Sequence, residues 1–232
     1  LASTYDQDMH ANPNNPSATN GTDQAWGGNR ARPDLVKKFF PKGNVPNLES
    51  YATAEAAGDD RALFCGVNRT LDNDDVSTFK SGFAVAKFTN FKTDGSAGHD
   101  ATFPDADFFL MRAAEAYLNF AEADARINGG QTTEEGTAAI NAIRKRAHAS
   151  TREDKGYSLS DICDEWSREF YFEGRRRMDL IRFNRYGGNV NYNWQWKGGT
   201  KEGRNFSKDL NIFAIPTNEL TSNKNLIQNP GY

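Results

Sequence analysis

The sequence is poor in the residue types that most readily mark a reaction centre. Its 232 residues include two cysteines and three histidines. Cys65 and Cys163 lie in distant parts of the chain, a pairing that fits neither a disulfide framework nor a zinc motif. Cys65 closes the short apolar run Ala62-Leu63-Phe64-Cys65 and Cys163 sits in a helical pattern, so both read as small buried hydrophobes. His10, His99 and His148 are scattered, and no two share a helix face, which leaves a histidine-based metal site without support. No Gly-x-Ser-x-Gly elbow marks a nucleophile. No run approaches the ~18 consecutive apolar residues of a membrane helix. Leu1 to Asp6 carry no basic stretch followed by an apolar one, so they are not expected to be a secretory leader. A basic excess is missing too. The 28 Lys and Arg face 31 Asp and Glu, for a net charge of −3, which argues against a nucleic-acid partner.

What is abundant is asparagine, glycine and aromatic side chains: 23 Asn, 20 Gly and 28 Phe, Tyr and Trp. That mixture suits long, ordered, turn-rich loops, and aromatics with amides are also the material of sugar-binding surfaces. At ~100–200 residues per domain the chain is one large domain or two small ones. By texture it divides into a loop-rich part over 1–102, a helical scaffold over 103–186 and a loop-rich end over 187–232. In the first part, Pro33 to Phe40 is a short helix candidate that Pro41 stops, and Phe83 to Phe88 is a possible short strand.

Phe108 to Ile127 contains no Gly or Pro. Leu110, Ala114, Tyr117, Leu118, Ala121 and Ala125 recur at helical spacing and predict one buried stripe, with Glu115, Asn119 and Glu122 on the polar side. Gly129-Gly130 ends this helix. Thr132 with Glu135 reads as a capping box for a second helix running to about Ala149, with Ile140, Ile143 and Ala147 buried. Ser158 with Asp161 reads as another box, opening a long helix that Gly174 interrupts. The first two helices form a hairpin of about one tetratricopeptide unit. One unit cannot bury both its faces, since a stack needs ~3 repeats, so partner helices outside this chain are expected.

Two charged clusters invite a site. Glu165, Glu169 and Glu173 fall four apart, on one face of the expected helix, with Arg168, Arg176 and Asp179 near them. Paired carboxylates can hydrolyse glycosides, but glutamates beside arginines are also how helices build ion-pair networks. Asp72-Asn73-Asp74-Asp75 is oxygen-rich enough for Ca²⁺ through Asp72, Asp74 and Asp75, yet lacks the glycine and distal glutamate of an EF-hand loop, and also reads as a solvated turn.

Several ordered motifs from about Trp26 to Tyr232 resemble the C-terminal half of the SusD/RagB family, the outer-membrane nutrient-binding lipoproteins of Bacteroidetes. They are Trp26-Gly27-Gly28 with Arg32 to Val36 and Phe39; Asp60-Arg61 with Leu63; Lys87-Phe88; Leu110 to Ala123, with its Arg112, Glu115, Tyr117-Leu118-Asn119 and Glu122; Ile140-Asn141-Ala142-Ile143-Arg144-Lys145-Arg146-Ala147; Glu165 to Phe170; Phe172-Glu173-Gly174-Arg175; Asp179 to Arg182; Ile215-Pro216 with Glu219-Leu220; and Asn225 to Tyr232. Asp60 replaces the family's usual Pro. Trp166 stands where the family commonly has Arg, so an ion pair is expected to be missing there.

The resemblance implies a mainly α fold, a tetratricopeptide-like hairpin and long helix carrying extensive ordered loops. It assigns Arg112, Glu115, Arg144, Arg168, Glu169, Glu173, Arg175, Asp179 and Arg182 to the scaffold rather than to catalysis. It implies no enzyme and no cofactor, with Ca²⁺ left open. The implied role is capture of an oligosaccharide or similar nutrient at the cell surface, for delivery to a SusC-like, TonB-dependent outer-membrane barrel. Family members are roughly twice this long. The expected remainder, an N-terminal half with the lipid anchor, would precede Leu1. Loop aromatics are the candidate ligand contacts: Tyr5, Trp26 and Arg30 in one region, Trp194 and Trp196 beside Tyr192 in another. Tyr5 and Trp26 read equally as rings plugged onto the scaffold, and the second set reads more readily that way than as ligand contacts. A helix-carboxylate hydrolase and a tetratricopeptide adaptor are the rival functions.

Overall fold

The computed structural model describes residues 21, 28–101 and 103–232; Tyr5 and Trp26 lie outside them. The described residues hold seven α-helices and one pair of very short strands. Two compact units result, Leu1–Gly174 and Arg175–Tyr232. Among the described residues no helix is long and apolar enough to cross a membrane.

The first unit begins with α1 (Pro33–Val36), which has proline at its N-terminus and continues into a 3-10 turn, Lys37–Phe39. Helix α2 (Ser50–Ala57) ends on the left-handed Gly58. Strands β1 (Phe64–Cys65) and β2 (Ala84–Val85) pair antiparallel, Phe64 opposite Val85 and Cys65 opposite Ala84. These pieces surround a core of Val36, Phe39, Phe64, Phe83, Val85 and Tyr171. Phe39 meets Phe64 and Tyr171 edge-on at 5.6 and 6.2 Å, the geometry that sets a ring's positive edge against a negative face. Gly66 is required here, because a Cβ at this position would come within 2.6 Å of the Phe83 ring. Cys65 and Cys163 are buried thiols rather than a bridge.

The hairpin is present, with altered limits. Helix α3 spans Ala113–Ile127 and α4 spans Glu134–Arg146. The expected start at Phe108 is corrected. Arg112 is extended (φ −135°, ψ 152°) and its side chain is drawn to Glu169 and Glu173, so the backbone before it stays out of the helix. Leu110, expected in the buried stripe, is 84% exposed, and Tyr117 is half exposed. Ala114, Leu118, Ala121 and Ala125 are buried as the spacing predicts. Glu122, expected on the polar side, is also buried. It takes the Trp166 indole N–H at 3.0 Å and the guanidinium of Arg126. Trp166 therefore carries a hydrogen bond at the position where the family resemblance leads one to expect an arginine.

The Thr132–Glu135 box is likewise replaced. Thr133 is the N-cap of α4, and its N–H is taken at 2.7 Å by Asp124 of α3. Gly136 makes this possible, since a Cβ there would sit 2.1 Å from the Asp124 carboxylate. The Ser158–Asp161 box is formed and opens α5 (Leu159–Phe170). The long helix then breaks. Tyr171 turns extended into the core, Phe172 and Gly174 take positive φ, and α6 (Arg176–Arg182) begins anew. Glu173 is therefore not on the helix face that carries Glu165 and Glu169.

A second apolar stripe on α3 faces solvent. Tyr117, Phe120 and Ile127 are 47%, 52% and 83% exposed, and Phe108 to Met111 lead into them. This is what a single helical hairpin leaves uncovered.

The second unit contains α6, two 3-10 turns (Lys197–Gly199 and Lys208–Asn211) and α7 (Thr217–Ser222). Much of it is loop closed by backbone bonds, such as Trp196 N–H to Lys201 C=O and Arg204 N–H to Lys197 C=O.

Candidate functional site

The largest assembly of charge lies in the first unit, on the α5 face that the sequence marks with glutamates. Glu165, with no exposed surface, receives Arg61 at 2.8 Å on Oε1 and Arg144 (2.7 Å) and Arg168 (2.6 Å) on Oε2. One turn on, Glu169 receives Arg112 and Arg146, both at 2.7 Å, and Arg61 at 3.1 Å. Arg61 turns its remaining edge to Asp59, through Nε at 2.8 Å and Nη2 at 2.7 Å. Arg112 bridges on to Glu173, which also holds Lys87 at 2.5 Å.

Burial opposes the charge on Glu165, but Arg168, Arg61 and Arg144 outweigh it and hold the carboxyl down at about 2. Glu169 is likewise held at about 2, against burial, by Arg146 and Arg112. A general acid needs a pKa near the working pH. These two carboxyls sit far below it, with their oxygens occupied by guanidiniums, so they have no proton to give. The network's role is mechanical. Lys87 Nζ caps the Glu169 and Tyr171 carbonyls at 2.9 Å, where cations favour a helix C-terminus. Burial pushes Lys87 down to about 8, against the pull of Glu173.

The sequence-chosen scaffold residues therefore divide. Arg112, Arg144, Arg168, Glu169 and Glu173 come together. Glu115 sits half-buried in the first turn of α3. Arg175, Asp179 and Arg182 belong to the second unit, where Arg182 holds the buried Asp179 at 3.0 Å and burial raises the Asp179 carboxyl. Asp59 joined the cluster without being singled out. Arg61, Lys87 and Arg146 stood in motifs only, and the glutamate partners of Arg61 are more than a hundred residues away. No local signal reports such a separation.

The aromatic loop of the second unit has a different construction. Tyr186 stacks on Trp194 (6.0 Å between centroids) and meets Phe206 edge-on at 5.0 Å, while Tyr192 tilts against Trp194 at 6.3 Å. Into this cluster runs Lys197, which is 1% exposed. Its Nζ donates to Tyr192 C=O (2.5 Å) and Asn205 Oδ1 (2.9 Å) and lies 4.9 Å from the Trp194 ring centroid. Burial lowers its pKa. Arg176 donates to the Tyr192 hydroxyl at 2.6 Å, and Arg177 lies 5.2 Å from the Tyr186 ring centroid. Trp194 is thus packed among its neighbours. Trp196, half-buried, holds a left-handed backbone (φ 68°), an uncommon conformation for a bulky residue.

Arg30 clamps the loop 70–82 of the first unit, donating to Thr78 C=O and, at 3.1 Å, to Val76 C=O. Asp72, Asp74 and Asp75 do not form a cation cage. Asp75 Oδ1 takes the Ser77 N–H and hydroxyl at 2.8 and 2.6 Å, and the three carboxylates do not converge. Among the described residues no group of three or more His, Cys, Asp or Glu is placed to hold a metal.

With this geometry in view, the comparisons with known proteins agree among themselves. The profile of the SusD family matches residues 49–232. Starch-binding protein SusD of Bacteroides thetaiotaomicron is 43% identical over 182 residues, which is 77% of this chain and 32% of that protein. The chain thus spans about a third of that relative's length. A SusD-like protein from Bacteroides fragilis superposes with a TM-score of 0.56 at 22% identity, over 90% of this chain and 48% of its own. Surface glycan-binding protein A from Bacteroides uniformis gives 0.51 at 23%, over 74% and 38%. At these identities the two structures speak for the fold.

Proposed function

The chain belongs to the SusD family, and from that premise we propose that it is part of a non-enzymatic glycan-binding protein of the bacterial outer membrane. The observation that carries the reading is the 43% identity to a starch-binding member across most of the chain. The buried network supports it from the other side, because the carboxylates a hydrolase would use are spent on arginines. On this reading the protein captures an oligosaccharide reversibly at the cell surface and passes it to a SusC-like, TonB-dependent barrel. A lipid anchor and an N-terminal half outside this chain complete it, and helices of that half cover the exposed stripe of α3. Rings on the loops are the proposed sugar contacts: Tyr5 and Trp26 in the first part of the sequence, and Trp194 and Trp196 in the second unit.

Isothermal titration of the intact protein with maltoheptaose and with cellohexaose tests this. Saturable binding without turnover is expected, weakened by Trp26→Ala. Hydrolysis of either oligosaccharide, lost in a folded Glu169→Gln variant, would replace the reading with a hydrolase. Capture of a cytoplasmic protein tail with no glycan affinity would replace it with an adaptor.

A further inference from the structure

The loop 70–82 is braced to an extent that its surface position does not require. Buried Arg69 donates to Phe79 C=O and to Gly82 C=O (3.3 Å), and buried Asn73 donates to Ser81 C=O at 3.1 Å. The Ser81 hydroxyl accepts the Asp75 N–H at 2.9 Å, and Thr70 N–H reaches Lys80 C=O at 3.0 Å. Arg30 ties down the Thr78 and Val76 carbonyls from outside. All this holds two apolar side chains at the surface of this chain: Val76 is 62% exposed and Phe79 59%. The Arg30 guanidinium stands 5.8 Å from the Phe79 ring centroid.

A single exposed apolar residue on a mobile loop needs no explanation. A ring kept exposed by a rigid loop is different, because its ordering cost is met before any ligand arrives. The size of the patch selects the ligand. A protein interface takes about 800 Å² from each partner, far more than two side chains at a loop tip supply. One aromatic ring with an aliphatic neighbour instead matches the C–H face of one pyranose. Asp75, Ser77, Thr78 and Lys80 flank it in sequence.

We infer that loop 70–82 is a preformed carbohydrate platform, with Phe79 as the stacking ring, Val76 beside it and Arg30 as a positioning residue that acts through Phe79. This rests on the glycan-binding reading above. The test is titration of the intact protein with maltoheptaose and cellohexaose, for wild type, Phe79→Ala, Phe79→Trp, Arg30→Ala, the Phe79→Ala/Arg30→Ala double variant and Tyr51→Ala. Tyr51 is an exposed ring, at 68%, outside the loop. Phe79→Ala is expected to weaken the bound oligosaccharide about tenfold at unchanged Tm, as a central aromatic contact does. Phe79→Trp keeps the affinity and Tyr51→Ala leaves it as in wild type. Arg30→Ala weakens binding alone but adds nothing to Phe79→Ala, the signature of two residues acting as one.

Wild type and Phe79→Ala binding equally would overturn the platform while leaving the glycan reading intact. The same holds if Tyr51→Ala costs as much as Phe79→Ala. A further loss in the double variant would overturn the positioning role of Arg30. Wild type holding neither oligosaccharide would overturn the glycan reading, and the platform with it.

Discussion

Both units bury charge, and they do so by opposite means. In the first, Arg61, Arg112, Arg144, Arg146 and Arg168 meet the carboxylates of Glu165, Glu169 and Glu173. In the second, Lys197 is wrapped by Trp194 and Phe206 rings and bonded to a carbonyl and an amide. The first solution neutralises charge with charge, so its parts depend strictly on one another: a buried carboxylate that loses a guanidinium is left uncompensated. The second spreads one charge over neutral dipoles and π-faces, each a modest contribution.

Acid should separate the two most sharply. Glu165 and Glu169 sit at about 2, below their ordinary 4.5, so the folded state binds protons less readily than the unfolded chain. Their stabilisation is full above about 4.5 and drains as pH falls toward about 2. Asp179 has the opposite sign. Burial raises its carboxyl above the ordinary 3.8, so lowering the pH toward 3.8 favours the folded second unit, and that gain persists at lower pH. Tryptophan at 166 and at 194 can report the two units in single-tryptophan variants. The Trp166 signal is expected to unfold at higher pH than the Trp194 signal, and coincident transitions would erase the contrast.

Next in size is Arg61→Met. It takes the ion pair from Asp59 and one of three guanidiniums from each of Glu165 and Glu169, and denaturant unfolding should show a loss of about 3–5 kcal/mol. A loss below about 1 kcal/mol would mean that the other arginines suffice. Lys197→Met should cost least, roughly 1 kcal/mol, since it removes hydrogen bonds and a ring contact but leaves no carboxylate behind. If it matched Arg61→Met, the distinction between charge-paired and dipole-wrapped cations would fail for this protein.

Much of the helical scaffold is legible in the sequence alone. The Ser158–Asp161 box, the buried alanines of α3 and the buried Ile140 and Ile143 of α4 follow from periodicity and capping rules that act over a few residues. The errors share one origin. Leu110, Glu122 and a helix running as far as Gly174, when it ends at Phe170, look right locally and are overruled by distant partners: Glu169 and Glu173 for Arg112, Trp166 for Glu122, and the aromatic core for Tyr171. The candidate site was less legible. Arg30 and the tryptophans could be named from composition and motif, but that Arg30 clamps a loop while Trp194 packs among rings depends on contacts no spacing encodes.

The sequence by itself determined the family, the helical hairpin with its surplus apolar face, and the glutamates four apart on α5, because hydrogen-bond periodicity, caps and motif order are properties of neighbouring residues. Only the tertiary structure decided which arginine meets which glutamate, where the long helix breaks, and that Phe79 is held at the surface of this chain. Those outcomes turn on groups such as Arg61 and Glu169, far apart along the chain, whose pairing is settled by electrostatics and packing once the backbone has brought them together.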